Sequence, residues 1–316
     1  MSVAAAVTCA LCAAAPAQAE LIYGMTAASS ASTAPGVALV KFDSATPGAV
    51  TTVGAFTGIV AGHALRSIDF RPATGQLYAI STSTSNLAAA QLYTVNLNTG
   101  ALTPVGGILT LTGNTSPRVE IDFNPVADRI RIVTGGTTAN NFRAHPDTGA
   151  LVAVDTALSW APGDPNEPFA MSIIGGAYSN NFAGATSTTL YAWDYGSDSL
   201  LTIGGLGGAP SPNGGVMFSI DQPADFMTGN AALGMDISGA SGILYVTHDD
   251  PDTAAFMSLF TRNLATGEET LIGAYPASNL FIVDISVSPV PEPAAMLMMA
   301  LGIAGLLARQ RIAQRR

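Results

Sequence analysis

Four aspartates stand in matching surroundings along this chain. Asp69, Asp122 and Asp236 sit in the triplets Ile68-Asp69-Phe70, Ile121-Asp122-Phe123 and Met235-Asp236-Ile237, and Asp284 lies inside the run Ile282 to Val287. Apolar–Asp–apolar alternation places the two apolar side chains on one face of a strand and the carboxylate on the other. If these strands occupy equivalent places in a repeating fold, the carboxylates converge and present the oxygen donors that a hard cation such as Ca²⁺ prefers. The alternative is that each Asp accepts hydrogen bonds from neighbouring turn or sheet amides and recurs because the repeat recurs, and residues periodic in repeat folds favour this second reading.

Other groups with chemical capacity are few. The segment WAPGDPNEPFAM places Trp160 near Asp164, Asn166 and Glu167, a combination suited to stacking on a sugar and bonding its hydroxyls; the competing reading is a Trp that fills a gap between repeats. His248-Asp249-Asp250-Pro251-Asp252 is the densest acidic cluster, but its spacing departs from the EF-hand pattern and a solvated turn accounts for it. Beyond His248 the histidines are His63 and His145, no Gly-x-Ser-x-Gly elbow occurs, and the glycine runs lack the lysine of a phosphate loop. Sequence-distant acids can still meet as the carboxylate pair of a glycoside hydrolase, so the Asp set also carries a hydrolytic alternative.

The elements that must position these groups recur. An aliphatic residue followed by Tyr or Arg appears as Ile22-Tyr23, Leu77-Tyr78, Ile130-Arg131, Leu190-Tyr191 and Leu244-Tyr245, at intervals of 53 to 60 residues. Two triplets run into turns, FRPATGQLYAI and FNPVADRIRIV, and a second hairpin signature with a Thr-Gly turn follows in LYTVNLNTGALTPVG, NFRAHPDTGALVAV and LFTRNLATGEETLIG. Each repeat thus supplies about four short strands. The fourth unit is irregular, with IIGGAYSNN where a triplet is expected and TTLYAWD, SLLTI and GVMFSI as its remaining strands. No triplet precedes LIYGM near the N-terminus, whereas one appears at Ile282 to Val287. The expectation is an all-β fold, a five-bladed β-propeller whose first blade is completed by the C-terminal strand.

The ends of the chain differ from the body. Residues 1–19 form an apolar run closing in Ala17-Gln18-Ala19, with small residues where a signal peptidase requires them. No Lys or Arg precedes Lys41, which leaves open whether Met1 is the true start. Both cysteines, Cys9 and Cys12, fall inside this segment, which excludes disulfide and thiol chemistry from residues 20–288. Ala294 to Ala308 is an uninterrupted apolar stretch followed by Arg309, Arg311, Arg315 and Arg316, a short single transmembrane helix with its positive flank on the cytoplasmic side. All 22 acidic residues but only eight of the 12 basic ones precede that tail, a balance of −14 that excludes nucleic acid as a partner.

Pro291-Glu292-Pro293, the apolar helix and the Arg-rich tail together resemble the PEP-CTERM sorting signal of Gram-negative bacteria. The resemblance implies an exosortase-type partner, a temporary inner-membrane anchor in residues 289–316, and delivery of the body to the cell surface or extracellular matrix. The body, through VKFDSATPGAVTTVGAF, IDFRPATGQLYAI, IDFNPVADRIRIV and AYSNNFAGATSTTLY, resembles an uncharacterised family of propeller-like domains of unknown function. That resemblance brings no activity and no cofactor. The expected function is therefore a non-catalytic exported protein, binding a polysaccharide, a matrix protein or a cation through its loops or serving as a structural component, with a secreted hydrolase using the Asp set as the alternative.

Overall fold

The computed structural model describes residues 19–29, 31, 34–136, 139–221, 233–249, 257–276 and 280–289. Ala17, Pro291, Glu292, Pro293, Arg309, Arg311, Arg315 and Arg316 lie outside the described residues, as does the expected C-terminal helix. Among the described residues no helix is long and apolar enough to cross a membrane.

In chain order the strands are β1 (Leu21–Ala27), β2 (Gly36–Asp43), β3 (Thr51–Ala55), β4 (His63–Arg71), β5 (Gln76–Ser83), β6 (Ala89–Val95), β7 (Leu102–Thr110), β8 (Val119–Asn124), β9 (Arg129–Thr134), β10 (Asn141–Ala144), β11 (Leu151–Val154), β12 (Ser159–Trp160), β13 (Ile173–Tyr178), β14 (Leu190–Asp194), β15 (Ser199–Ile203), β16 (Val216–Ser219), β17 (Gly234–Ile237), β18 (Leu244–His248), β19 (Ser258–Arg262), β20 (Glu269–Ala274) and β21 (Phe281–Val287). They form successive antiparallel meanders. β21-β1-β2-β3 is linked by one residue pair, Gly36 with Leu65, to β4-β5-β6-β7. Then come β8-β9-β10-β11, β13-β14-β15-β16 and β17-β18-β19-β20. The fourth unit forms the strands its sequence announced, and β12 adds to it in parallel beside β16.

Local chemistry explains the turns. The tight connections that carry Thr-Gly need their last residue in the left-handed region, and Gly100 and Gly149 take it at φ +75° and +68°, each donating its N–H back four residues, to Asn96 and His145. In NPVADR the same place falls to Asp128, at φ +49°, one of the few residue types that tolerate it.

The first strands of the meanders contact one another in sequence: β4 lies against β8, β8 against β13, β13 against β17, β17 against β21, and β21 against β4. The buried apolar clusters follow the same order. One joins Met25 and Leu39 to Phe70 and Tyr93; the next joins Tyr78 and Leu92 to Phe123 and Phe142. Val133 packs with Trp160 and Tyr178, Trp193 with Met235 and Val246, and Tyr245 and Leu259 with Ile22 and Phe42. Each core thus lies between two consecutive units, and the last one joins the C-terminal unit to the N-terminal one.

β21 belongs to the first unit although it comes last in sequence, pairing antiparallel with β1 from Ile22↔Val287 to Ala27↔Phe281. Its Ile282, Ile285 and Val287 are 0%, 1% and 4% exposed. Ending the chain at residue 279 removes this strand, with an expected cost of about 5 kcal/mol or more from three lost aliphatic burials and their ladder. The thermal midpoint should fall by roughly 10 °C or more relative to a chain ending at residue 288; equal midpoints would show that β21 does not hold the termini together.

Candidate functional site

Strand register decides which of the aspartates are equivalent. Asp69 pairs with Tyr78, Asp122 with Arg131, Asp236 with Tyr245 and Ala177 with Tyr191. In the first unit the residue opposite the corresponding tyrosine, Tyr23, is Ser286 rather than Asp284. The layer therefore consists of Asp69, Asp122, Ala177, Asp236 and Ser286. Asp284 is corrected to the next layer, two residues earlier along each strand, with Ser67, Glu120, Gly175 and Gly234. Val283-Asp284-Ile285 and Ile285-Ser286-Val287 alternate in the same way, so the apolar pattern at the end of the chain gave no sign of which polar residue faces Tyr23.

Within the first layer each polar side chain accepts a main-chain N–H from the adjoining inner strand. Asp69 Oδ2 accepts from Phe123 N at 2.7 Å, Asp122 Oδ1 from Tyr178 N at 3.0 Å, Asp236 Oδ2 from Val287 N at 2.6 Å and Ser286 Oγ from Phe70 N at 3.1 Å. The second layer repeats the device at Ser67 and Asp284: Ser67 Oγ accepts from Ile121 N at 3.2 Å and Asp284 Oδ2 from Ile68 N at 2.8 Å. At Gly234 an added Cβ would lie 2.4 Å from Asp284 Cα; there the two backbones approach too closely for any side chain.

Asp69, Asp122 and Asp236 converge, each offering a carboxylate oxygen within 4.8 Å of the others, and they are 2%, 4% and 1% exposed. Burial pushes the Asp69 and Asp122 carboxyls well above the ordinary range, and the neighbouring aspartates push them further. Burial likewise raises Asp236 and Asp284 to about 7, against the hydrogen bonds they accept. Ser286 lies at the centre of this network, 2.8 Å from Asp69 Oδ1 and 3.1 Å from Asp236 Oδ2. A hydroxyl has one proton, so both contacts become hydrogen bonds only when one of the carboxyls is itself protonated. Geometry and charge thus agree on a cluster that holds protons at neutral pH. Its three carboxyls also supply oxygen donors of the type Ca²⁺ takes, though fewer than the six to eight ligands it usually gathers.

The other expected site residues are placed apart from this cluster. Trp160 is 7% exposed and packs in a core with Val133, Tyr178 and Met217, so its ring faces are covered. Asp164 accepts from Ser219 N at 2.9 Å and from Asn166 N at 2.9 Å, Asn166 donates to Ser199 Oγ at 2.8 Å, and Glu167 accepts from Gly163 N at 2.9 Å. The segment fastens itself to β15 and β16. His248 stacks on Phe260 with ring centroids 4.2 Å apart and bonds Glu269 at 3.0 Å; residues 250–256 lie outside the described residues.

Sequence reasoning passed over the arginines, several of which join neighbouring units. Arg71 of β4 bonds Asp128 through Nε at 2.8 Å and Asp147 through Nη1 at 2.5 Å. Arg118 donates to Ser172 Oγ and lies over the Tyr195 ring. Arg262 of β19 stands 3.9 Å from the centroid of Trp193 and 2.7 Å from Glu269. Arg131 bonds Tyr178 at 3.2 Å, Asn141 at 2.7 Å, Asp155 at 2.6 Å and Asn213 at 2.7 Å. One signal was present: Arg131 replaces the tyrosine that the other repeats have.

Fold and site together define an all-β, propeller-like protein whose inner strands are bonded to one another through carboxyl and hydroxyl side chains. The family model described as Domain of unknown function (DUF4394) matches residues 38–286, and the chain belongs to that family. A PEP-CTERM protein-sorting motif matches residues 289–312, which implies exosortase-sorted export to the cell envelope or surface. No curated protein matches. Among solved structures, the GH43_1 enzyme from Xanthomonas citri complexed with xylose is similar over 82% of this chain and 87% of that chain, at 12% identity and a TM-score of 0.50, a likeness of fold alone. A putative 6-phosphogluconolactonase from Bacteroides uniformis matches over 82% and 83%, at 15% identity and a TM-score of 0.44, and the Dos1 propeller over 80% and 58%, at 12% and 0.39.

A carboxyl whose pKa is higher in the folded than in the unfolded chain contributes stability that is full below the unfolded value, near 4, and is lost as pH rises through the folded value. The thermal midpoint should therefore fall between pH 5 and pH 8, across the window set by Asp236 and Asp284 at about 7. Asp122→Asn keeps an acceptor for Tyr178 N and should flatten this dependence. Asp122→Ala leaves that N–H without its acceptor and should cost about 1–3 kcal/mol at pH 5. A midpoint that rises with pH would refute the proton-holding cluster, and restoration of the pH 8 midpoint by millimolar Ca²⁺ would identify an ion site instead.

Proposed function

We propose that this protein is a non-catalytic, surface-displayed binding protein. It is read as five four-stranded blades in a closed ring spanning residues 20–288, with residues 1–19 as a removable export signal and residues 289–316 as a temporary membrane anchor that an exosortase-type enzyme removes. The pairing of β21 with β1, the cyclic contacts of the first strands and the cores between consecutive units support the blade count. Export supports a role outside the cytoplasm, with a polysaccharide or matrix protein as the partner.

One observation carries the non-catalytic reading. The converging carboxyls are buried and engaged as acceptors of main-chain N–H groups from adjoining strands. Glycoside hydrolysis requires two carboxyls on opposite sides of a scissile bond, about 5–9 Å apart and reachable by the sugar. A trio packed within 4.8 Å and almost without exposed surface serves the ring rather than a substrate.

Incubation of the full chain with neutral and acidic glycans and with chromogenic glycosides should release no product above the buffer rate. Hydrolysis that Asp122→Asn or Asp236→Asn abolishes without unfolding the chain would establish the secreted hydrolase in place of the binding protein.

A further inference from the structure

A cleft of about 280 Å³ opens between the third and fourth units. Its walls reverse the charge of the molecule. Three of the eight basic residues that precede the tail, Arg129, Arg131 and Arg143, line it, whereas among the described residues no acidic side chain does. The rest of the lining is largely neutral and rich in hydroxyls, among them Tyr178, Ser187 and Ser211.

The arginines are held before any ligand arrives. Arg131, with a side chain 3% exposed, is fixed by the four bonds described above, including 2.7 Å to Asn213 of the opposite wall. Asp155, 6% exposed and outside the lining, accepts Nε and Nη2 of Arg143 at 2.8 Å each. Burial pushes the Asp155 carboxyl up, but the bonds from Arg143 and Arg131 outweigh it and hold the group below the usual range. One buried carboxylate thus faces two guanidinium groups, and the cleft keeps a positive surplus. Nη1 of Arg143 makes no hydrogen bond to the described residues, and that side chain is 32% exposed. Arg129 is half-buried and bonds backbone carbonyls, Asp128 O at 2.8 Å among them.

We infer that this cleft binds a carboxylate-bearing saccharide, with Arg143 and Arg129 taking the carboxylate and the wall hydroxyls taking the sugar hydroxyls. Guanidinium matches a carboxylate in plane and with paired donors. The volume falls just below the usual range of small-ligand pockets, roughly 300–1,000 Å³, which suits one sugar residue rather than a long stretch of chain. Three arginines gathered in one cleft of a strongly acidic body select an anion locally, since the repulsion from the remaining surface is screened beyond about 8–10 Å at physiological salt. The inference deepens the binding role proposed above and rests on it.

The test is calorimetric titration of the full chain, in a neutral detergent, with a tri-uronide and with the matching neutral trisaccharide. The tri-uronide should bind saturably and at least tenfold more tightly than the neutral sugar. Arg143→Gln and Arg129→Gln should each weaken it tenfold or more while the chain stays folded at the titration temperature, and Arg66→Gln, on the second unit, should leave it intact. Equal binding of both sugars, unchanged affinity in the two cleft variants, or competition by inorganic phosphate as strong as by a free uronate would overturn the assignment. Cleavage of the tri-uronide during titration would overturn the non-catalytic reading instead, so the two failures are distinguishable.

Discussion

A buried side chain of one inner strand accepting the main-chain N–H of the next is the interaction on which the rest of this structure depends. Inner strands of adjoining sheets meet outside any shared ladder, and their inward N–H groups need acceptors because a buried donor left unmade costs about 1–3 kcal/mol. Asp69, Asp122, Asp236, Asp284, Ser67 and Ser286 supply them. A carboxyl suits the task because its two oxygens accept in different directions: Asp69 bonds Phe123 N with one and Phe70 N with the other. The consequence is charge crowding, which the cluster relieves by holding protons.

Stability and function are divided accordingly. The middle of the molecule uses acids to hold strands together, and the faces between units use arginines as clamps, Arg71, Arg118, Arg131 and Arg262 among them. With both cysteines in residues 1–19 and a body depleted in basic residues, packing between units and these few polar fasteners carry the load that disulfides often carry in exported proteins. The cleft arises where Arg131, one such clamp, stands beside two less buried arginines. Recognition there uses side chains already ordered for structural reasons, which lowers the entropy lost on binding.

The repeat was legible because it is written twice, in the apolar–Asp–apolar strand and in the aliphatic–Tyr/Arg pair that lies opposite it. The return of the last strand to the first unit was legible for the same reason: a triplet missing at one end and present at the other. Equivalence of Asp284 was not, because Val283-Asp284-Ile285 and Ile285-Ser286-Val287 both alternate apolar–polar–apolar, and only the pairing with β1 decides which polar residue faces Tyr23. For Trp160 the sequence offered both a sugar-stacking ring and a filler between repeats, and choosing between them needed the parallel pairing of β12 with β16, distant in sequence. The arginine cleft draws its lining from β8 to β10, from the connection after β13 and from the connection before β16, and no local pattern marks residues that distant as neighbours.

Amide hydrogen exchange at Phe123, Tyr178 and Val287, resolved residue by residue at pH 6, tests the central claim most directly. These donors lie on three different sheets and share only the side-chain acceptors between inner strands. The account predicts that all three exchange solely through global opening, with one common free energy equal to that of unfolding. Exchange at separate, lower free energies, each characteristic of its own sheet, would contradict it.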